Sequence, residues 1–314
     1  MLQQTRVAQG LPYYEKFIRH FPTVNKLSEA SEKKVLKLWQ GLGYYSRARN
    51  LHSTAKMVSR EMGGRFPDTY EGLLQLKGVG DYTASAIASI CFGRPEAVVD
   101  GNVYRVLARY FGVDLPVNSS RGTRYFKQLA SEVMNTDMPG EYNQAIMEFG
   151  AGQCTPAKPD CGNCPLNNGC MALQQKRISQ LPVKTKKPGV RRRYFNYLVP
   201  IDKEYKTLLK QRQEAGIWRQ LYEFPLLESD SRVAEEEILE WLPQKFTGRG
   251  KPVLLQGNDK EIVHKLSHQH LYTRFWILRM QERLEGGIPI AELDEYPVPV
   301  LIADFIKTLK NSYF

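Results

Sequence analysis

Four cysteines stand at Cys154, Cys161, Cys164 and Cys170, a C-x6-C-x2-C-x5-C array within 17 residues. Four thiolates in one short loop supply the soft ligands that either a [4Fe–4S] cluster or a tetrahedral zinc needs, and spacing alone leaves both open. Prolines 156, 159 and 165 and glycines 162 and 169 suit a loop wound around an inorganic core. A second array is L-K-G-V-G-D-Y, where the spacing predicts a helix ending near Lys77, a turn through Gly78, Val79 and Gly80, and a new helix from Asp81. Such a turn lets backbone N–H groups approach a phosphate closely, whatever the nucleic-acid sequence. A third is V-V-D-G-N-V-Y-R, in which Asp100 follows an apolar run and is predicted to cap the helix beyond it.

These groups need elements to hold them. From Glu15 to about Ala172 the pattern is helical, with Val35, Leu38 and Leu42 on one face, Ser31 as N-cap and Gly41 or Gly43 as stops. Residues 174–193 carry eight Lys or Arg and no acid, which predicts a basic linker between residues 1–173 and 194–314. Beyond it come strand-like runs, Y-F-N-Y-L-V-P-I-D, K-T-L-L-K-Q-R and the long stretch from Ile262, with helices at R-V-A-E-E-E-I-L-E-W-L and V-L-I-A-D-F-I-K-T-L-K. The fold class expected is an all-α domain followed by an α+β domain. In K-L-S-H-Q-H-L a two-residue period sends His264, Leu266, His268 and His270 to one face and Ser267 and Gln269 to the other.

The 314 residues suit two domains, and the net charge of +11 favours an acidic partner such as nucleic acid. No apolar run is long enough to span a bilayer and the N-terminus has no secretory pattern, so a cytoplasmic address is the default expectation.

In order, M-L-Q-Q-T-R-V-A, L-W-Q-G-L-G-Y-Y-S-R-A-R-N-L, L-K-G-V-G-D-Y-T-A-S-A-I, V-V-D-G-N-V-Y-R-V-L-A-R and the cysteine array resemble the helix-hairpin-helix DNA glycosylases. Among these they are most similar to the A/G-specific adenine DNA glycosylases of MutY type. The resemblance spans essentially the whole chain and implies a helix-hairpin-helix glycosylase domain with a [4Fe–4S] loop at 154–170, followed by a Nudix-like domain. It implies base-excision repair, with hydrolytic removal of adenine from 8-oxoguanine:A and G:A mispairs in double-stranded DNA by a nucleoid-associated monomer. Asp100 then stabilises the oxocarbenium-like cation at C1′. Tyr82 stands where related bifunctional lyases have a lysine, so no Schiff base forms and a monofunctional enzyme is expected. The resemblance also implies lesion or mispair contacts from Gln4, Thr5, Leu42 and Tyr44, with Gln4 as a wedge and Tyr44 stacking. Arg47 and Arg49 are expected to join Gly78, Val79 and Gly80 on the DNA backbone. A Phe-Ser-His loop that senses 8-oxoguanine corresponds to Leu266-Ser267-His268, where leucine weakens stacking and the polar pair persists. I-W-R-Q-L-Y-E-F-P is similar to the Nudix scaffold, with no glutamate-rich hydrolase signature after it.

The family's general acid is a glutamate two residues before the methionine that matches Met1. Glu15, 11 residues after Gln4, would lie about 16 Å along a continuous helix and cannot replace it. Two expectations follow: this chain is impaired as an enzyme while still able to bind DNA, and the natural protein either starts further upstream, the favoured reading, or is itself truncated. Two other readings are a non-catalytic lesion-binding protein, which the absent glutamate favours, and a bifunctional pyrimidine-damage glycosylase/lyase, which Tyr82 and the second domain disfavour.

Overall fold

The structure, a computed structural model, describes residues 1, 3–185, 189–242, 246 and 253–313. Lys186 and Lys187, counted in the expected linker, lie outside them. The chain packs as two compact units, one formed by Met1–Lys56 with Pro188–Phe314 and the other by Met57–Lys187. No described helix is long and apolar enough to cross a membrane.

The chain begins with helices α1 (Val7–His20), α2 (Val24–Glu29), α3 (Glu32–Trp39) and α4 (Ser46–Glu61). Ser31 caps α3 as its position requires, its hydroxyl accepting from the Lys34 amide at 3.3 Å. Beyond Trp39, Gly41 and Gly43 take φ of +99° and +76°, which end the helix. Then come α5 (Tyr70–Leu74), α6 (Asp81–Phe92), α7 (Gly101–Tyr110), α8 (Ser120–Glu132), α9 (Pro139–Gly152) and α10 (Met171–Gln174). Their buried core includes Val99, Val103, Leu107, Phe126 and Ala130, and it also takes in Leu181. The Val117 amide donates to the Val183 carbonyl at 3.0 Å. The first part of the basic stretch is therefore tied down by packing and hydrogen bonds.

The strands are β1 (Arg191–Ile201), β2 (Lys206–Thr207), β3 (Lys210–Gln211), β4 (Tyr222–Glu223), β5 (Leu226–Ser229), β6 (Val253–Gln256), β7 (Ile262–Lys265), β8 (Gln269–Arg279) and β9 (Ile288–Pro289). Helices α11 (Glu235–Trp241) and α12 (Val300–Tyr313) accompany them. The main sheet runs β5-β1-β8-β6, with β7 also paired to β8. β1 and β8 are parallel over Arg191↔Gln269 to Ile201↔Arg279, and both carry a continuous apolar run, Tyr197–Ile201 and Phe275–Leu278, as burial on both faces demands.

One buried cluster joins Phe17, Leu36 and Trp39 of the first helices to Phe195, Tyr197, Phe275 and Phe305. Polar ties reinforce it: Lys37 donates to the Tyr296 carbonyl at 3.1 Å, and Gln40 accepts from the Val298 amide at 3.3 Å.

The structure corrects the expected alternation around Ser267. Residues 264–271 are two strands joined by a turn, with Lys265↔His270 and His264↔Leu271 as cross-strand pairs. The Leu266 amide closes the turn on the Gln269 carbonyl at 2.8 Å. The hairpin resets the alternation, so a single two-residue period does not run through it. His264 instead faces inward beside Trp218, ring centroids 5.7 Å apart.

Candidate functional site

In the Met57–Lys187 unit, Asp100 ends the buried run Ala97-Val98-Val99 and caps α7. Its Oδ1 accepts from the Asn102 and Val103 amides, each at 2.8 Å, and its Oδ2 from Asn102 Nδ2 at 3.0 Å. Three donors, two of them amides of the first turn of α7, orient the carboxylate to a single direction. Asn143, which sequence reasoning missed, aims the approach to it: its Oδ1 accepts from the Val98 amide at 3.0 Å, and its Nδ2 donates to Glu96 O at 2.8 Å. Tyr82, in the first turn of α6, donates to Met147 Sδ at 3.6 Å. Burial, and then the Asp100 carboxylate, push its hydroxyl above the ordinary tyrosine range. The two residues are thus electrostatic neighbours, with the phenol neutral at physiological pH.

The hairpin turn forms where the spacing predicts it, although α5 closes earlier, at Leu74. Gly78 has φ of +82°, and the Val79 amide donates to Leu76 O at 3.1 Å. Gly80 is the N-cap of α6 and offers no side-chain cap. A Cβ there would meet nothing within 4 Å. Its own fold does not demand glycine at that place, as an external group approaching the backbone would. Asp81 accepts from the Tyr70 hydroxyl and pairs with Lys127, both at 2.8 Å. Lys127 also donates to the Ala97 carbonyl at 2.8 Å, which ties α8 to the approach to Asp100.

Two buried arginines, also missed, join α7 to the cysteine loop. Arg105 donates to the carbonyls of Cys154 at 2.6 Å and Gly150 at 2.5 Å. Arg109 donates to Leu181 O at 3.0 Å, Thr155 O at 2.8 Å and Cys154 Sγ at 3.4 Å. The available signal was two cations among the apolar positions of one helix. Burial, and then the thiols of Cys154, Cys170 and Cys164, push the Cys161 thiol above its ordinary range. Among the described residues no three Cys, His, Asp or Glu side chains stand arranged around one metal position. The donor set still suits a four-thiolate site in its type and number.

In the unit that pairs residues 1–56 with the sheet, an open cleft of about 690 Å³ is lined by Tyr44, Arg49, Trp218, Leu266, Ser267 and His268, among others. Tyr44 is 49% exposed, whereas Leu42 and Tyr45 belong to the core. Burial raises the Tyr45 hydroxyl to about 12. Tyr44 and Ser267 share a hydrogen bond of 2.9 Å. Arg49 lines the cleft and donates to Arg219 O at 2.8 Å. Arg47, expected on the DNA backbone, is instead turned inward: it donates to the carbonyls of Met1, Gln3, Leu42 and Gly43 and to Thr5 Oγ1. A guanidinium that fills its fork with carbonyls has little left for phosphate.

Residues 1–132 match the model of the HhH-GPD superfamily base excision DNA repair proteins, and residues 196–308 match that of the NUDIX domain. An adenine DNA glycosylase of Buchnera aphidicola subsp. Baizongia pistaciae (strain Bp) is 35% identical over 284 residues, 88% of this chain and 76% of the relative. The chain belongs to the adenine DNA glycosylase family. Another member, from Mus musculus, is 34% identical over 334 residues, 92% of this chain and 64% of its own length. A thermostable thymine-DNA glycosylase has a similar structure, with a TM-score of 0.51 and 29% identity over 55% of this chain and 80% of that one. The family fold expected from the motifs, a helix-hairpin-helix domain with a Nudix-like domain, is the one found. Asp100, the hairpin and the cysteine loop occupy the helical part, and Ser267-His268 the tip of a sheet hairpin.

Proposed function

We propose that this chain is a monofunctional DNA N-glycosylase that hydrolyses adenine from 8-oxoguanine:A and G:A mispairs. The observation that carries the reading is the orientation of Asp100 by three donors, with the neutral Tyr82 hydroxyl as its neighbour. Base departure leaves positive charge on the deoxyribose, and a prepositioned carboxylate stabilises that charge without reorganising. Tyr82 offers a hydroxyl where a lyase needs an amine, so the sugar is released to water instead of being held as a Schiff base. Gly78, Val79 and Gly80 carry the backbone contact, and the open space at Gly80 supports it.

The target adenine must leave the duplex, at a cost of roughly a few kcal/mol. Tyr44, Ser267 and His268 read the orphaned 8-oxoguanine in the cleft, whose wall the buried Leu42 helps to form, and Gln4 and Thr5 act with them from the N-terminal segment. Residues 1–173 are the proposed catalytic module and 194–314 the lesion-reading one, with 174–193 between them. Cys154, Cys161, Cys164 and Cys170 would hold a [4Fe–4S] cluster, whose role here would be to fix the loop that Arg105 and Arg109 grip.

Single-turnover release of adenine from an 8-oxoguanine:A duplex tests the reading, with Asp100→Asn alongside. Asparagine remains a good N-cap, so the fold and DNA binding should persist while release falls by about 10²-fold or more. Equal release by Asp100→Asn would remove Asp100 from the chemistry. Efficient borohydride trapping on DNA would overturn the monofunctional assignment.

A further inference from the structure

Arg47 reaches two separate backbone segments with one guanidinium. Its Nη1 donates to Met1 O at 2.6 Å, Gln3 O at 2.5 Å and Thr5 Oγ1 at 3.0 Å. Its Nη2 donates to Leu42 O at 3.3 Å and Gly43 O at 3.2 Å. The same cation lies 5.4 Å from the Trp39 ring centroid and 5.3 Å from that of Tyr44. Trp39 Nε1 adds a donor to Gly43 O at 3.0 Å.

Each clasped segment carries one non-glycine residue in the left-handed region, Gln4 with φ of 55° and Tyr44 with φ of 47°. Neither is glycine, and a tyrosine adopts that backbone only where its surroundings compel it. The contacts supply the compulsion: the carbonyls just before each strained residue, Gln3 O and Gly43 O, are both acceptors of Arg47.

We propose that Arg47 is a positioning residue that sets the backbone of Gln4 and Tyr44 together, so that both point at one nucleotide. The inference rests on the lesion-reading role proposed above for those two side chains, and it separates Arg47 from the cations that neutralise phosphates. Only a planar fork serves both segments at once, so lysine cannot replace it.

Arg47→Lys and Arg47→Gln test this in three measurements on the full chain: amide exchange of residues 3–6 and 41–45 in the free protein, the salt dependence of affinity for an undamaged duplex, and the preference for an 8-oxoguanine:A duplex. Lysine keeps the stem and the charge beside Trp39, which makes it the variant expected to fold normally. Faster exchange in both segments, an unchanged salt slope and a preference reduced about tenfold, the worth of one well-made hydrogen bond, are expected of both variants. A salt slope shallower by about one with the preference intact would overturn the proposal in favour of a phosphate contact. Unchanged exchange in both segments would also overturn it. If the unmodified chain had no preference for the lesion duplex, the lesion-reading role would fall, while exchange and salt slope would still decide whether the clasp exists.

Discussion

The hydroxyls of Tyr44 and Ser267, 223 positions apart in the chain, meet at 2.9 Å. One sits in the left-handed turn after α3 and the other at the tip of the β7–β8 hairpin, so a single hydrogen bond closes one wall of the cleft. Tyr44→Phe and Ser267→Ala should each lower the preference for an 8-oxoguanine:A duplex by about 3- to 10-fold, the usual worth of such a bond. The double variant should cost little more than either single one. Fully additive losses in the double-mutant cycle would mean that the two side chains read the lesion independently.

Gly78 and Gly80 make opposite predictions from positions two apart. At Gly78, φ of +82° strains any side chain, so Gly78→Ala should lower stability by about 1 kcal/mol. At Gly80 a methyl meets open space, and Gly80→Ala should leave the melting temperature nearly unchanged. It should still weaken binding to damaged and undamaged duplex alike. Intact affinity in Gly80→Ala would show that no phosphate approaches the turn there.

Arg109 is buried and donates to two loop carbonyls and to Cys154 Sγ while also holding Leu181 O. The two loop carbonyls, Thr155 O and Pro156 O, follow directly on the first cysteine. Arg109→Leu strands these acceptors and should cost about 3 kcal/mol or more. Protein purified without oxygen should contain iron and inorganic sulfide in equal amounts, less of both in Arg109→Leu, and neither in Cys161→Ala. Zinc without sulfide in the unmodified protein would replace the cluster with a tetrahedral thiolate site.

His264 gives a pH test. Burial against Trp218 lowers its affinity for a proton, which Asp304 only partly restores. The unfolded chain therefore binds the proton more readily than the folded one. Stability contributed by this residue is complete above about pH 6.5, the unfolded value, and is lost as pH falls through that value toward the lowered folded one. His264→Gln should flatten the part of the stability profile between about pH 7 and pH 5. A profile with unchanged slope in that range would mean that His264 titrates alike in both states.

Much of this site was legible in one dimension because it is local. Asp100 and the amides of Asn102 and Val103 lie within one helical turn, so the cap follows from spacing. The Gly78-Val79-Gly80 turn, the Ser31 cap and the four cysteines are local in the same way. The K-L-S-H-Q-H-L stretch misled for the converse reason: a hairpin turn held by Leu266 and Gln269 interrupts the alternation that composition suggested.

What needed the tertiary structure were the long-range partners. Apolar periodicity announces that Val35 and Leu38 are buried, and it is silent on the Phe195, Phe275 and Phe305 cluster they join. A basic residue in sequence looks the same whether it meets phosphate or carbonyl, so Arg47 could be given its clasp, and Arg105 and Arg109 their grip on the cysteine loop, only after the carbonyls of distant segments converged on them. Local chemistry was decided by residue type and spacing. Which of those groups face one another was decided by packing, because burying the apolar faces is what selects among the many juxtapositions one sequence allows.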